Sequence, residues 1–507
     1  MIPRLLWPDR DFDPKLAPLD RWEELVQDLS LATLFGAMAG EDEYLRPVVQ
    51  TVVLHSVSDP AVIRYRQEVL ADCVQNPGVA EELYRLAVQA HQAERDAWGF
   101  GDSADSVLYR SVRLLKLLLP LMRQLRTTME TQRSRFRSAA FRQLFDSIDR
   151  ELDAQFFAEA EGHVARLEYP PSALISVRLG RGNKGRDPVL RTPRPARRSW
   201  SERLFRRRRT PYSFEIAERD ESGHRALREF QNRGIASTAA AIERSVGHVQ
   251  RFFALLRSEI GFYLGCLRLR SRLTAAGLAV GWPTPLPIAD TALSAEGLYE
   301  VCFALSSDRT VVPNDLRADG ARLVVITGAN EGGKSTFLRA LGLSLLMLQA
   351  GMFVPAQRMS ASVGLGMFTH FKREEDAAME GGKFDEELKR MSQIADRARS
   401  GCFLLCNESF SSTNEREGSE IADETVRAFV DSGVRVFFVT HLYDLAERLE
   451  RRASGSTVFL RAERTEDGRR TFRMLEGAPL VTSYGEDLYR RVFELSVPAS
   501  EGSPTAS

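Results

Sequence analysis

Leu323-Val324-Val325-Ile326-Thr327-Gly328-Ala329-Asn330-Glu331-Gly332-Gly333-Lys334-Ser335-Thr336 is the stretch on which the reading of this chain turns. The apolar, β-branched run Leu323 to Ile326 predicts a buried strand. Phe337, Leu338, Leu341, Leu343, Leu345 and Leu346 predict an apolar helix opening behind it. The loop between them, Gly328 to Thr336 with Asn330, Gly332 and Gly333 inside it, has the spacing Gly-x4-Gly-Lys-Ser of a phosphate-binding loop. Its glycines let backbone N–H groups face a β-phosphate, and the helix N-terminus adds positive potential. Lys334 supplies a point charge to the β- and γ-phosphates, and Ser335 offers a hydroxyl to Mg2+.

A phosphate loop implies an acidic site on a later strand. Phe403 to Cys406 predicts that strand, and Asn407 and Glu408 stand at its end. Glu408 is the candidate to polarise the attacking water, as general base or orienter. Asn407 occupies the place where P-loop ATPases usually carry the Asp that helps hold Mg2+. An amide keeps the oxygen acceptor and loses the charge, so weaker Mg2+ affinity or turnover is expected. A third strand, Val434 to Val439, ends in Thr440 and His441, whose imidazole is placed to sense the γ-phosphate. From about Pro283 such strands alternate with helical patterns, the signature of an α/β fold with a mainly parallel sheet.

Outward from this region the texture changes. Residues 1–165 read as helical, with Leu108, Val112, Leu115, Leu118, Leu119 and Met122 on one face and Pro120 expected to kink or end that helix. Residues 223–282 read as returning lever helices, with Ile242, Val246, Val249, Phe252, Phe253 and Leu256 in a stripe. Between them, residues 166–222 form a basic insertion. Ala173 to Leu179 and Tyr212 to Ala217 are β-like and read as the two strands of a small β-hairpin, and its tip, 178–209 with 13 Arg or Lys against two acids, is either an irregular solvated loop or an arm for phosphate backbones. Trp200 and Phe205 are its only interleaved aromatics, which favours backbone contact over base stacking. Residues 283–495 form the α/β domain, and 496–507 read as a disordered tail.

Composition narrows the class. At 43% hydrophobic and 27% charged, the 507 residues suit folded domains rather than a disordered or fibrous chain. Formal charge balances at 69 basic against 69 acidic residues, so any preference for a polyanion must be local. Five cysteines without metal-ligand spacing argue against a disulfide framework and against zinc. The opening residues lack a signal-peptide pattern and no run of apolar residues is long enough to span a membrane, so a cytoplasmic protein is expected.

Taken in order, these residues resemble the ATPase of the MutS family of DNA mismatch-repair proteins, itself of the ABC-type ATPase class. The similarity rests on Ile326 to Thr336, on Phe353-Val354-Pro355-Ala356-Gln357, on Asn407-Glu408 with Ser412-Thr413-Asn414-Glu415-Arg416-Glu417-Gly418, and on Val439-Thr440-His441. It covers about residues 285–450, and a weaker similarity at Leu29 to Leu34 and Asp59 to Gln67 reaches the family's helical core. The resemblance implies ATP and Mg2+ as cofactors, nucleotide or catalytic roles for Lys334, Ser335, Glu408 and His441, and a homodimer. In the family a serine-containing loop of one subunit closes on its partner's nucleotide, and here Gly382 or Lys383 falls in that place. The basic insertion sits where the family places its DNA clamp, which makes Arg197, Arg198, Arg206, Arg207, Arg208 and Arg209 the candidate DNA contacts. The first hundred residues contain no Phe-x-Glu wedge, so a short form lacking the N-terminal mismatch-recognition domain is expected.

Three functions fit these residues. One is a DNA-associated ATPase acting in repair or recombination. The second is a nucleotide-gated clamp with little hydrolysis, because of Asn407. The third is an ABC-type ATPase serving a membrane or protein partner. Turnover separates the first two, and salt-dependent DNA binding that survives deletion of 178–209 would count against the role given to that stretch.

Overall fold

A computed structural model describes residues 1–97, 101–167, 174–181, 185–191, 216–307, 309–329, 331–373, 382–453, 455–465 and 469–479. The chain divides into two compact units, one of residues 1–4 and 76–260 and one of 5–75 and 261–507. Helices α1 (Trp22–Asp28), α2 (Leu31–Ala39), α3 (Leu45–His55) and α4 (Pro60–Gln75) therefore belong with the α/β half, although by texture they continue the helical stretch.

The helical unit contains α5 (Pro77–Asp96), α6 (Ala104–Gln132), α7 (Ala139–Glu151), α8 (Ala154–Leu167), the strands β1 (Leu174–Leu179) and β2 (Gly185–Arg191), and most of α9 (Glu221–Ala275). Ser103 opens α6 by accepting from the backbone N–H of Ser106, and Ser138 opens α7 by accepting from that of Phe141. The α6 stripe is buried at Val112, Leu118, Leu119 and Met122, and the α9 stripe at Val246, Phe252, Phe253 and Leu256. Pro120 does not end a helix here: α6 runs on through it. Pro120 lies on the exposed side, so the carbonyl that loses its N–H partner can be solvated instead of being stranded in the core.

The hairpin corrects one expectation. β1 pairs antiparallel with β2, Ile175 opposite Leu190 and Ser176 opposite Val189, with a register shift between Ser176 and Arg178. The partner strand thus lies inside the stretch read as irregular. Of the segment expected to pair, residues 212–215 lie outside the described residues, and Ile216 and Ala217 are not in a strand.

The α/β unit continues with β3 (Thr284–Leu286), β4 (Leu293–Leu298), α10 (Val301–Ser306), β5 (Asn314–Arg317), β6 (Leu323–Thr327), α11 (Lys334–Gln349), β7 (Arg358–Ser362), β8 (Met367–Phe371) and α12 (Lys383–Ala395). It closes with β9 (Phe403–Asn407), α13 (Glu415–Asp431), β10 (Arg435–Val439), α14 (Tyr443–Arg451), β11 (Thr457–Arg464) and β12 (Arg470–Glu476). A six-stranded sheet has the order β12-β11-β6-β10-β9-β8. Its strands are parallel apart from the antiparallel pair β11–β12. A four-stranded sheet has the order β3-β7-β4-β5. β6, β8 and β10 are buried along their whole length, as strands of a parallel sheet covered on both faces are, and β8 buries Thr369 and His370 among its apolar residues.

The early helices complete the cover over α11. Arg339 on α11 donates to the Asp28 carbonyl at 2.9 Å, and Gln349 at its end donates to the carbonyls of Val57 at 3.1 Å and Gly364 at 2.9 Å. The fully buried Arg66 of α4 lies 4.3 Å from the Trp7 ring and donates to the Leu6 and Ala350 carbonyls at 3.0 and 3.2 Å. A cation at the C-terminal end of α11 is favoured by the helix dipole, and its bonds offset the cost of burying the charge.

Candidate nucleotide site

The site forms at the carboxyl ends of three neighbouring parallel strands, where ligands bind in open α/β sheets. β6 leads into the glycine loop, β9 ends at Asn407 with Glu408 following, and β10 ends just before Thr440 and His441. Their register is fixed by pairing, Ile326 with Val439 and Val439 with Asn407. The turns are tied as well: the Glu408 N–H donates to the Val439 carbonyl at 2.9 Å and the Thr440 N–H to the Ile326 carbonyl at 3.0 Å.

Glycine is required in the loop for two reasons. Gly328 and Gly333 sit at φ +124 and +91, and a Cβ on Gly328 or Gly332 would come within 2.8 or 2.9 Å of the Ala462 side chain on β11. Lys334 opens α11 with its side chain buried, and its Nζ donates to the carbonyls of Gly328 and Ala329, both at 2.8 Å. Burial pulls its pKa down, with the nearby Arg470 acting in the same direction and Glu408 against it. Thr336 is exposed in the first turn of the helix. Asn330 lies outside the described residues.

Two polar pairs flank the loop. The Ser335 hydroxyl donates to the Asn407 side-chain oxygen at 2.7 Å. The His441 Nδ1 lies 3.5 Å from a Glu408 carboxylate oxygen, and both side chains are partly exposed. The His441 imidazole, followed by the charges of Lys334 and Lys372, holds the Glu408 carboxyl below its ordinary range against the opposing effect of burial. The neutral oxygens of Ser335 and Asn407 converge, and hard oxygen donors suit Mg2+. The structure thus brings Lys334, Ser335, Asn407, Glu408 and His441 to one sheet edge.

Other candidates fall elsewhere. Gly382, extended at ψ 153, precedes α12 and Lys383 begins it, while residues 374–381 lie outside the described residues. Arg197, Arg198 and Arg206 to Arg209 lie outside them too. The hairpin strands keep Arg178, Arg186 and Arg191, all exposed. Among the described residues, no group of three or more His, Cys, Asp and Glu is placed to hold a metal ion, and no helix is long and apolar enough to cross a membrane.

Several residues at the site escaped the sequence reading. Arg470 on β12 pairs with Glu331 of the loop, and Ser409, directly after Glu408, meets the buried His370 of β8. Neither contact leaves a local signal, because each joins residues remote in sequence.

A glycine-rich loop between a central parallel strand and a buried helix places this unit in the P-loop class. Comparison with known families takes this further. A model described as the MutS2 N-terminal domain matches residues 58–276, and one described as MutS domain V matches residues 324–493. The chain belongs to the MutS family. Relatives include a DNA mismatch repair protein MutS of Chlorobium phaeobacteroides, 39% identical over 155 residues, which is 30% of this chain and 17% of that protein. A MutS of Chlorobium phaeovibrioides is 33% identical over 203 residues, 39% of this chain and 23% of the relative. MutS protein homolog 4 of Mus musculus is 28% identical over 156 residues, 31% and 16% of the two chains. The matched region thus spans about a fifth of the length of these relatives.

Proposed function

We propose that this chain binds ATP with Mg2+, hydrolyses it, and uses the cycle to change its grip on DNA as a homodimer in DNA repair or recombination in the cytoplasm. The observation that carries the reading is the convergence of Lys334, the Ser335–Asn407 pair and the Glu408–His441 pair at one sheet edge. The names of the matched relatives support the DNA-repair context.

The residues divide the work. Lys334 exchanges two neutral carbonyls for the β- and γ-phosphates, a charge-assisted contact made stronger by its burial. Loop N–H groups and the start of α11 add to that potential. Ser335 and Asn407 would hold Mg2+, which when bound neutralises phosphate charge. Glu408, kept ionised by His441, accepts a proton from the attacking water. His441, at the end of the next strand, is the residue through which the γ-phosphate state reaches the rest of the sheet. Gly382 and Lys383 meet the partner subunit's nucleotide, and Arg197, Arg198 and Arg206 to Arg209 contact DNA phosphates.

A second reading, a nucleotide-gated clamp with little turnover, is favoured by one observation: the group opposite Ser335 is an amide instead of a carboxylate. Turnover by the purified protein, alone and with duplex, mismatched or branched DNA, separates the two. DNA-stimulated hydrolysis that Lys334→Ala and Glu408→Ala abolish supports the ATPase. Tight ATP binding without hydrolysis on any DNA supports the clamp.

A further inference from the structure

The turn that carries Glu408 is conformationally expensive. Glu408 has φ +55 and Phe410 has φ +62, both in the left-handed region that side chains other than glycine rarely adopt. Such a backbone conformation is costly for a residue with a Cβ, so the surroundings must hold the turn in place.

Ser409 stands between them, 1% exposed. Its Oγ lies 2.6 Å from Nδ1 of His370 and 2.9 Å from the His370 carbonyl. His370 is fully buried on β8, where it is paired with Cys406 of β9. Its other ring nitrogen, Nε2, lies 3.0 Å from the Glu387 carbonyl on α12. A carbonyl only accepts, so in the neutral ring Nε2 carries the hydrogen and Nδ1 is an acceptor, and the single hydrogen of the Ser409 hydroxyl is shared between Nδ1 and the His370 carbonyl. The ring also stacks on Phe410, centroids 5.7 Å apart. α12 grips the same turn from its side chain: the Glu387 carboxylate accepts from the Ser412 hydroxyl at 2.9 Å and from the Phe410 backbone N–H.

We propose that Ser409 and His370 are positioning residues for hydrolysis: their hydrogen bond clamps the left-handed turn so that the Glu408 carboxylate faces His441 and the attacking water. The clamp anchors the catalytic turn to the edge strand β8 and to α12. This inference rests on the proposed ATPase reading, and neither residue touches nucleotide.

The test is steady-state hydrolysis of Mg·ATP, with equilibrium ATP binding measured separately, for Ser409→Ala, His370→Asn and His370→Gln. Misplacing a catalytic group by about 1 Å can cost about 100-fold, so Ser409→Ala is expected to lower kcat by roughly 10- to 100-fold while ATP affinity stays within about threefold. His370→Asn puts an amide oxygen near the place of Nδ1 and retains more turnover than His370→Gln, whose amide reaches only the Nε2 place. In a Glu408→Gln background, Ser409→Ala causes no further loss of the residual rate. Unchanged kcat in Ser409→Ala overturns the proposal. So does a parallel loss of ATP binding, which marks a general structural defect, and so does full additivity with Glu408→Gln. In all these cases the wild type still turns over. A wild type that binds ATP without hydrolysing it overturns the ATPase reading and this inference with it.

Discussion

The carboxyl edge of the six-stranded sheet and the β1–β2 hairpin both present charged side chains, and they do so on opposite terms. At the sheet edge, the candidate groups follow strands that are buried and registered against their neighbours, and the pairing sets where they stand. On the hairpin, Arg178, Arg186 and Arg191 stand exposed on a sheet of two strands among the described residues. Bond-making chemistry needs the first arrangement, because misplacement by an ångström costs orders of magnitude. Neutralising a phosphate backbone needs only the second, since counterion release depends on the number of charges more than on their fixed geometry.

Mutation can break this contrast, and the sheet edge should yield the largest effect. Lys334→Ala removes the buried cation of the phosphate loop and is expected to lower ATP turnover by about 100-fold or more, read as kcat/KM. The next effect, in stability, comes from His370. Burial pushes its pKa to about 4, so between about 6.5 and 4 the unfolded chain binds the extra proton. Stability therefore falls as pH drops through that window, by roughly 3 kcal/mol, and His370→Asn should flatten the dependence in urea unfolding.

Smaller effects sharpen the comparison. The Glu408 carboxyl is depressed by His441, so it stays ionised below the ordinary carboxylate range. The acid limb of the pH–rate profile should accordingly move up in pH in His441→Ala. Asn407→Asp restores a charge opposite Ser335 and, if that charge limits the reaction, should raise turnover by about threefold to tenfold, an effect absent if another step is limiting. On the hairpin side, deleting 192–209 should weaken DNA binding and make its salt slope shallower by about 0.9 per lost phosphate contact. Arg178→Gln should leave unfolding stability within about 0.5 kcal/mol, because Arg178 is exposed. Large losses of fold stability on the hairpin, or mild ones at Lys334, would erase the distinction.

The sequence by itself was enough for the phosphate loop, the three strands, the long helical stripes and the P-loop class, because each is written in contiguous residues. Apolar runs make buried strands, and a glycine loop before a helix needs no distant partner. It also singled out Lys334, Ser335, Asn407, Glu408 and His441, since strand ends in a parallel sheet gather at one edge. It left open whether a helix ends at Pro120 and misjudged the hairpin pairing, where solvent exposure and register decide the outcome. Only the tertiary structure joined α1–α4 to the α/β unit, set Arg470 against Glu331, and placed His370 beneath Ser409. Those contacts link residues tens or hundreds of positions apart. They depend on which strand becomes the sheet edge and on how neighbouring elements cover it, and no local pattern of residues records either.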